Sequence, residues 1–298
     1  MNVLIRAAGF ALFCFSGLVL AQAADDPQAK EKALLESLQY QTGAVAVSEA
    51  SAHLDLKPGF RYLAKQDARK VLEGYWGNPP DESVLGLIVP DKDPLGTEHS
   101  WAVVVTYSDE GYVSDKDANE IDYADLLKDM KAGTKESNEY RKSEGYQEIE
   151  LLGWAEQPRY DAASKRLYWA KELSFAGQTD NALNYDIRVL GRKGYLSLEA
   201  VASMKDLSRV NDGMKQILPM AQFDAGNTYA DYNADTDKLA AYGIAALVGG
   251  GIAAKAGLFA KLGALLLAGK KVIIVIFIAI GGFFKKMFGK KDKNKTVE

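Results

Sequence analysis

Apolar residues return every three or four positions in four stretches of the chain, and each stretch has helix punctuation at its ends. Asp26-Pro27 supplies a cap and a first-turn proline before "QAKEKALLESLQ", where Leu34, Leu35 and Leu38 make a stripe. In "KQDARKVLEGYWGNPP" the positions Ala68, Val71, Leu72 and Tyr75 follow the i, i+3, i+4, i+7 rule, and Gly77-Asn78-Pro79-Pro80 stops the helix. Tyr123, Leu126, Leu127 and Met130 repeat that spacing behind Asp122, with an end expected near Gly133. Ser203 and Asp206 form a capping signature ahead of Leu207, Val210, Met214 and Ile217, and Pro219 is the stop.

Period-two alternation marks the strands. Trp101, Val103, Val105 and Tyr107 occupy alternate positions in "WAVVVTY", and Tyr185, Ile187 and Val189 alternate with Asp186 and Arg188. "EIELLGWA", "RLYWAKEL" and "YLSLEAVA" read as further strands, and "GRKG" (191–194) as a hairpin link. The second half is therefore helix, four successive strands, helix. That order predicts an α+β fold: an antiparallel sheet flanked by helices and covered on one face. The element order of this half is similar to the Mog1/PsbP-like architecture. The first half has short strands near Ala44–Val47 and Ala52–Leu56, a helix, then "VLGLIVP" and "WAVVVTY". These patterns divide the body into a first α+β subdomain over 24–140 and a second over 141–238.

Both ends of the chain depart from this pattern. Arg6, an uncharged run from Ala7 to Leu20 and Ala21-Gln22-Ala23 have the order of a cleavable signal peptide, residues 1–23, cut after Ala23 or Ala24. The run is shorter than the ~20 residues of a spanning helix. Cys14 is preceded by Phe13, where lipoprotein processing needs a small residue. It is the sole cysteine, so the processed chain has no disulfide, thiolate nucleophile or cysteine metal site.

Charge separates the chain further. The total of −4 conceals a leader of +1, a tail from Leu239 of +8 (ten lysines against Asp292 and Glu298) and a body of −13. An acidic body repels phosphate backbones, so nucleic acid is not an expected partner. Within the tail, "KKVIIVIFIAIGGFFKK" (270–286) is an apolar run fenced by lysines, and 285–298 is a basic segment that the positive-inside bias places in the cytoplasm. The reading is a bacterial inner-membrane protein with its body in the periplasm and an anchor within 239–284.

Val272–Phe284 alone is 13 residues, about 20 Å long against a hydrocarbon core of ~30 Å. Two arrangements supply the missing length. Lys270 and Lys271 snorkel within a span extended back through "LGALLLAG", or they separate two membrane segments beginning near Leu239. The Gly-Ala stretch 239–260, with Gly249, Gly250 and Gly251, suits close helix packing in the second case.

"LKPGFRYL", "VLEGYWGNPP", "VLGLIVP", "GYVSDKDANEIDYADLL", "GWAEQPRYDAASKRLYWAKEL" and "LNYDIRVLGRKGYLSLEAVA", followed by the lysine-fenced tail, resemble a family of uncharacterised bacterial membrane-anchored proteins defined by a domain of unknown function. The resemblance covers nearly the whole processed chain. It implies a signal peptide, an exported domain and a C-terminal anchor, and it assigns no activity.

Searching for chemistry yields few candidates. There is no G-x-S-x-G elbow and no S-x-x-K, and the only histidines are His53 and His99. Glu98, His99 and Ser100 cluster before a strand, but neighbours in extended chain point to opposite faces, so His99 and Ser100 do not readily meet. Two distant histidines give no zinc spacing. Asp115, Asp117 and Asn119, and again Asp231, Asn233, Asp235 and Asp237, imitate the start of a calcium loop. Both runs then lack the glycine at position six (Glu120, Thr236) and the glutamate at twelve (Leu126, Tyr242), so capping and solvated loops are the expected roles. No carboxylate pair is singled out by spacing, and "GYWGNPP", with Tyr75 and Trp76, is the turn best suited to present an aromatic. No catalytic, cofactor-binding or metal residue is expected. The functional expectation is an exported acidic domain acting as a binding module for an envelope partner; the alternative is an envelope hydrolase using carboxylates.

Overall fold

The computed structural model describes residues 27–249. Helix α1 (Pro27–Glu36) lies in a unit that ends at Leu38, and the rest of the fold forms a second unit from Gln39 onward.

The second unit begins with β1 (Tyr40–Gln41), β2 (Ala44–Val47), β3 (Ala52–Asp55) and β4 (Phe60–Ala64). Helix α2 (Lys65–Arg69) continues as a π turn over Lys70–Tyr75 and leads to β5 (Val84–Pro90), β6 (Ala102–Ser108) and β7 (Tyr112–Ser114). Helix α3 (Tyr123–Ser143) precedes β8 (Ile149–Asp161), β9 (Arg166–Phe175), β10 (Ala182–Leu190) and β11 (Tyr195–Ser203). The described residues close with α4 (Leu207–Ile217), β12 (Ala221–Phe223), β13 (Leu239–Gly243) and α5 (Ile244–Val248).

Eight strands form one sheet in the order β1-β4-β5-β6-β11-β10-β9-β8, antiparallel throughout. The central pairing, β6 with β11, joins chain from both sides of residue 140, so the expected subdomains 24–140 and 141–238 share a sheet, and residue 140 itself lies inside α3. A second antiparallel sheet, β12-β3-β2, and a parallel pair, β13-β7, complete the fold.

Alternation along the strands sends apolar side chains to two cores. On one face Val103 and Val105 of β6, Leu183, Tyr185, Ile187 and Val189 of β10, and Leu196, Leu198 and Ala200 of β11 pack under α4 and the three-stranded sheet. Helix α4 contributes Val210, Met214 and Ile217, the stripe read from its spacing. The sheet was expected to be covered on one face only, yet the opposite face also carries helices. There α2 packs on β5, α3 packs on β8, and Leu126, Met130, Leu151, Leu167 and Trp169 form a second core with Ile244, Leu247 and Val248 of α5.

Three local differences from the sequence reading have physical reasons. Helix α3 passes through Gly133 and ends at Ser143, two residues before Gly145, which takes φ +80°. The extra turns are held by Asn138, whose amide donates to the Ile149 carbonyl at 2.8 Å and accepts from its N–H at 2.9 Å. Strand β8 runs on to Asp161 through Pro158, which a strand at the sheet edge tolerates because one side has no ladder to lose. The stretch expected to open the membrane region at Leu239 begins instead as β13, paired with β7, and α5, with Ile244 fully buried. Of these ten residues Ala240, Ile244, Ala246, Leu247 and Val248 are buried in the fold. Among the described residues no helix is long and apolar enough to cross a membrane. The signal peptide expected over 1–23, the rest of the anchor region expected to reach 284 and the expected cytoplasmic tail 285–298 lie outside the described residues.

Candidate functional site

Between α2 on one side and the α3–α5 core on the other, the second face of the sheet is left open over β6, β11 and part of β10. The opening is a groove of about 810 Å³. Its floor includes Val104 and Thr106 of β6, Ser197, Glu199 and Val201 of β11, and Arg188 of β10. One wall is the loop after the π turn, Asn78 to Asp81, with Leu72 and Glu73 behind it. Asp109 and Glu110 close one end.

Strand register explains why these side chains gather. Asp186 is opposite Trp169 on one side and Glu199 on the other; Arg188 is opposite Leu167 and Ser197, and Asn184 opposite Lys171. Residues paired in this way share a face with Cβ atoms ~5 Å apart. Register thus gathers a cross-strand patch of Lys171, Asn184, Asp186, Arg188, Ser197 and Glu199, of which Arg188, Ser197 and Glu199 line the floor. Gly194, in the link that fixes this register, is required by packing: a Cβ there would lie 1.7 Å from the Ser108 carbonyl oxygen.

Asp186 has no exposed surface, and two cations hold it. Lys171 Nζ lies 3.0 Å from Oδ2, and Arg188 Nη2 lies 3.0 Å from Oδ1. The buried carboxylate is thus held between two cations, one on each oxygen. The Arg188 guanidinium also stands 4.9 Å from the Trp169 ring centroid and 5.9 Å from that of Tyr195, which locks it in place. Glu199 differs from Asp186. Its hydrogen bond comes from Asn184 Nδ2 at 2.9 Å, and no cation lies at ion-pair distance from it among the described residues. Burial, and then the Asp186 charge, push its carboxyl above the usual range despite the opposing pull of Lys171 and Arg188. Burial works to lower the Lys171 ammonium, but the charges of Asp186 and Glu199 outweigh it and the net direction is upward.

Other residues singled out by sequence have internal roles. His99 Nδ1 sits 3.1 Å from Asp206 Oδ1, and Arg209 ties Asp206 to Asp93, which accepts from Trp101 Nε1 at 3.2 Å. This network fastens α4 to the entrance of β6. The backbone N–H of Ser100 closes a turn on Thr97, so the structure gives Ser100 and His99 separate partners. His53 Nδ1 is 2.7 Å from Asp224, on the three-stranded sheet. Asp115 takes hydrogen bonds from Tyr160 at 2.6 Å and Lys165 at 2.8 Å, and Asp117 caps the N–H of Ile244 at 3.2 Å.

In the second acidic run, Asp231 closes a capping box with Thr228 and Asp237 grips Arg192 through Nε at 2.7 Å and Nη2 at 3.0 Å. Among the described residues no group of three His, Cys, Asp or Glu is placed to hold a metal. Trp76 is half-buried and does not line the groove; the neighbouring Asn78, Pro79 and Pro80 do.

The wall residues Asn78, Pro79 and Pro80 belong to the "GYWGNPP" turn that sequence picked out, but the floor residues were not singled out. Their one signal is the alternation of Asn184, Asp186 and Arg188 with apolar neighbours, which also describes a solvated strand face.

No curated protein sequence matches the chain. Among solved structures it is similar to the cyanobacterial PsbP protein CyanoP of Synechocystis sp. PCC 6803, with 10% identity and a TM-score of 0.35, covering 63% of this chain and 92% of that one. It is also similar to the Ran-binding protein Mog1p of Saccharomyces cerevisiae, with 9% identity and a TM-score of 0.31, covering 63% and 96%. The sequence itself matches one family model over residues 39–281, most of the chain, and the protein therefore belongs to DUF2167, a family of proteins of unknown function.

Proposed function

We propose that residues 39–249 form a binding module, exported and held at the bacterial inner membrane from the C-terminal side, whose ligand enters the groove over β6, β11 and β10. The observation that carries this reading is the groove itself. At about 810 Å³ it falls within the size range of ligand clefts, and its floor presents both signs of charge on rigid strands. Its acidic lining, Glu73, Asp81, Asp109, Glu110 and Glu199 against Arg188, agrees with the −13 charge of the body. Such a field steers cationic groups toward the opening.

A hydrolase is the second reading, favoured by the direct opposition of Asp186 and Glu199 across two strands. General acid–base work on a bond requires both carboxyls to reach it. Asp186 is wholly buried and bound by two cations, so the binding reading stands first. Turnover of an envelope substrate that is lost in Glu199→Gln would reverse that order.

The test is photocrosslinking in cells from a probe placed at Asn78 or Thr106 of the full-length protein. One dominant adduct is expected from both groove positions, and none from Lys215, exposed on α4. The same smear from all three positions refutes the module. Protease added to spheroplasts is expected to digest the body and spare the tail from 285; loss of the tail refutes the orientation.

A further inference from the structure

We infer that the groove recognises a zwitterion of the amino-acid or short-peptide class, its carboxylate on Arg188 and Ser197 and its ammonium on Glu199. The inference rests on the binding reading above and concerns which chemistry the floor selects.

Arg188 and Glu199 both line the groove and are diagonal neighbours on adjacent strands, since Arg188 faces Ser197 and Glu199 lies two residues further along β11. Diagonal positions stand ~7–8 Å apart, within reach of two long side chains. They nevertheless form no bridge with each other. Arg188 is turned to Asp186 instead, through Nη2 at 3.0 Å, and packs against Trp169. Nη1 donates to the carbonyl of Ile187 at 3.3 Å, which leaves further N–H groups of the five-donor guanidinium unengaged. Glu199 uses Oε1 for Asn184 and has no hydrogen bond at Oε2.

The floor therefore holds a guanidinium donor and a carboxyl acceptor side by side, each incompletely used, and a bound ammonium supplies the positive charge that draws the raised Glu199 carboxyl back to its anionic form. Asp186, buried between Lys171 and Arg188, prevents them from closing on each other. A purely cationic ligand meets Arg188, and a purely anionic one meets Glu199 with the acidic residues Asp81, Asp109 and Glu110 around it. A ligand with both charges satisfies both. The hydroxyls of Ser197 and Thr106, on the Arg188 row of the floor, add hydrogen bonds for its carboxylate. Preorganisation is high because Arg188 is only 13% exposed in its side chain and both partners stand on central strands.

Calorimetric titration of the full-length protein in detergent with dialanine, N-acetyl-dialanine and dialanine amide tests this without altering the fold. Saturable binding of dialanine is expected, with each capped form weaker by about tenfold or more, the effect of one charge-assisted contact. Glu199→Gln should remove the difference between dialanine and its acetylated form while keeping the penalty for the amide. Capped forms that bind as well as dialanine overturn the inference. So does an absence of dialanine binding at millimolar concentration while groove crosslinks persist, which leaves the binding module intact. Loss of both dialanine binding and groove crosslinks overturns both.

Discussion

Trp101 and Gly213 show how single residues set the packing of the first core. The ring is 2% exposed and anchored through Nε1 to Asp93, so it cannot swing aside. A Cβ at position 213 would lie 2.4 Å from its Cη2 and Cζ2 atoms. Alanine gains ~1 kcal/mol over glycine inside a helix, but overpacking costs ~1–3 kcal/mol. Gly213→Ala is therefore expected to lose up to about 2 kcal/mol, a fall of up to several degrees in Tm by calorimetry. Asp237 gives a prediction in pH. The Arg192 guanidinium lowers its carboxyl to about 2, so its stabilising contribution is complete above the ordinary aspartate value of ~3.9 and disappears as pH falls through about 2. Asp237→Asn should lower Tm at pH 7, and the gap to wild type should narrow steadily between about pH 4 and pH 2. A gap independent of pH would contradict this account. Sequence placed Asp237 in a solvated acidic loop. Its partner, Arg192, lies 45 residues away, a pairing that local spacing does not encode.

Elements followed the periodic pattern closely where one face alone is buried. The stripe of α4 and the alternation of β6, β10 and β11 were legible because each repeats a single burial direction. Helix α3 was read too short, since a glycine commonly ends a helix and the tether that overrides it comes from β8. Asn138→Ala removes both hydrogen bonds to Ile149 and strands its backbone groups. We expect a loss of about 1–3 kcal/mol and faster hydrogen exchange at the Ile149 amide. Unchanged exchange there would show that the last turns of α3 are held by other contacts. The groove is the element-scale feature that sequence left hidden. Asn184, Asp186 and Arg188 occupy the polar phase of a regular strand, and only the walls on either side make Arg188 part of a floor.

At the scale of the molecule, one sheet gathers strands from both halves of the chain, and the C-terminal side is sealed by β13 and α5. A chain ending at residue 238 should melt well below one ending at 249, because it loses the buried side chains of Ile244, Leu247 and Val248 from the second core. Equal melting temperatures would place those residues outside the cooperative fold. The sequence by itself determined the α+β class, the four amphipathic helices and most strands, because these depend on local periodicity and caps. It also marked the division of charge between an acidic body and a lysine-rich tail, which is composition alone. Only the tertiary structure decided that Leu239–Val248 belongs to the fold and that Lys171, Asp186, Arg188 and Glu199 share a partly covered patch. The reason is physical: strand pairing and layer packing bring together residues far apart in the chain, and whether a polar strand face meets water or a groove depends on what packs around it.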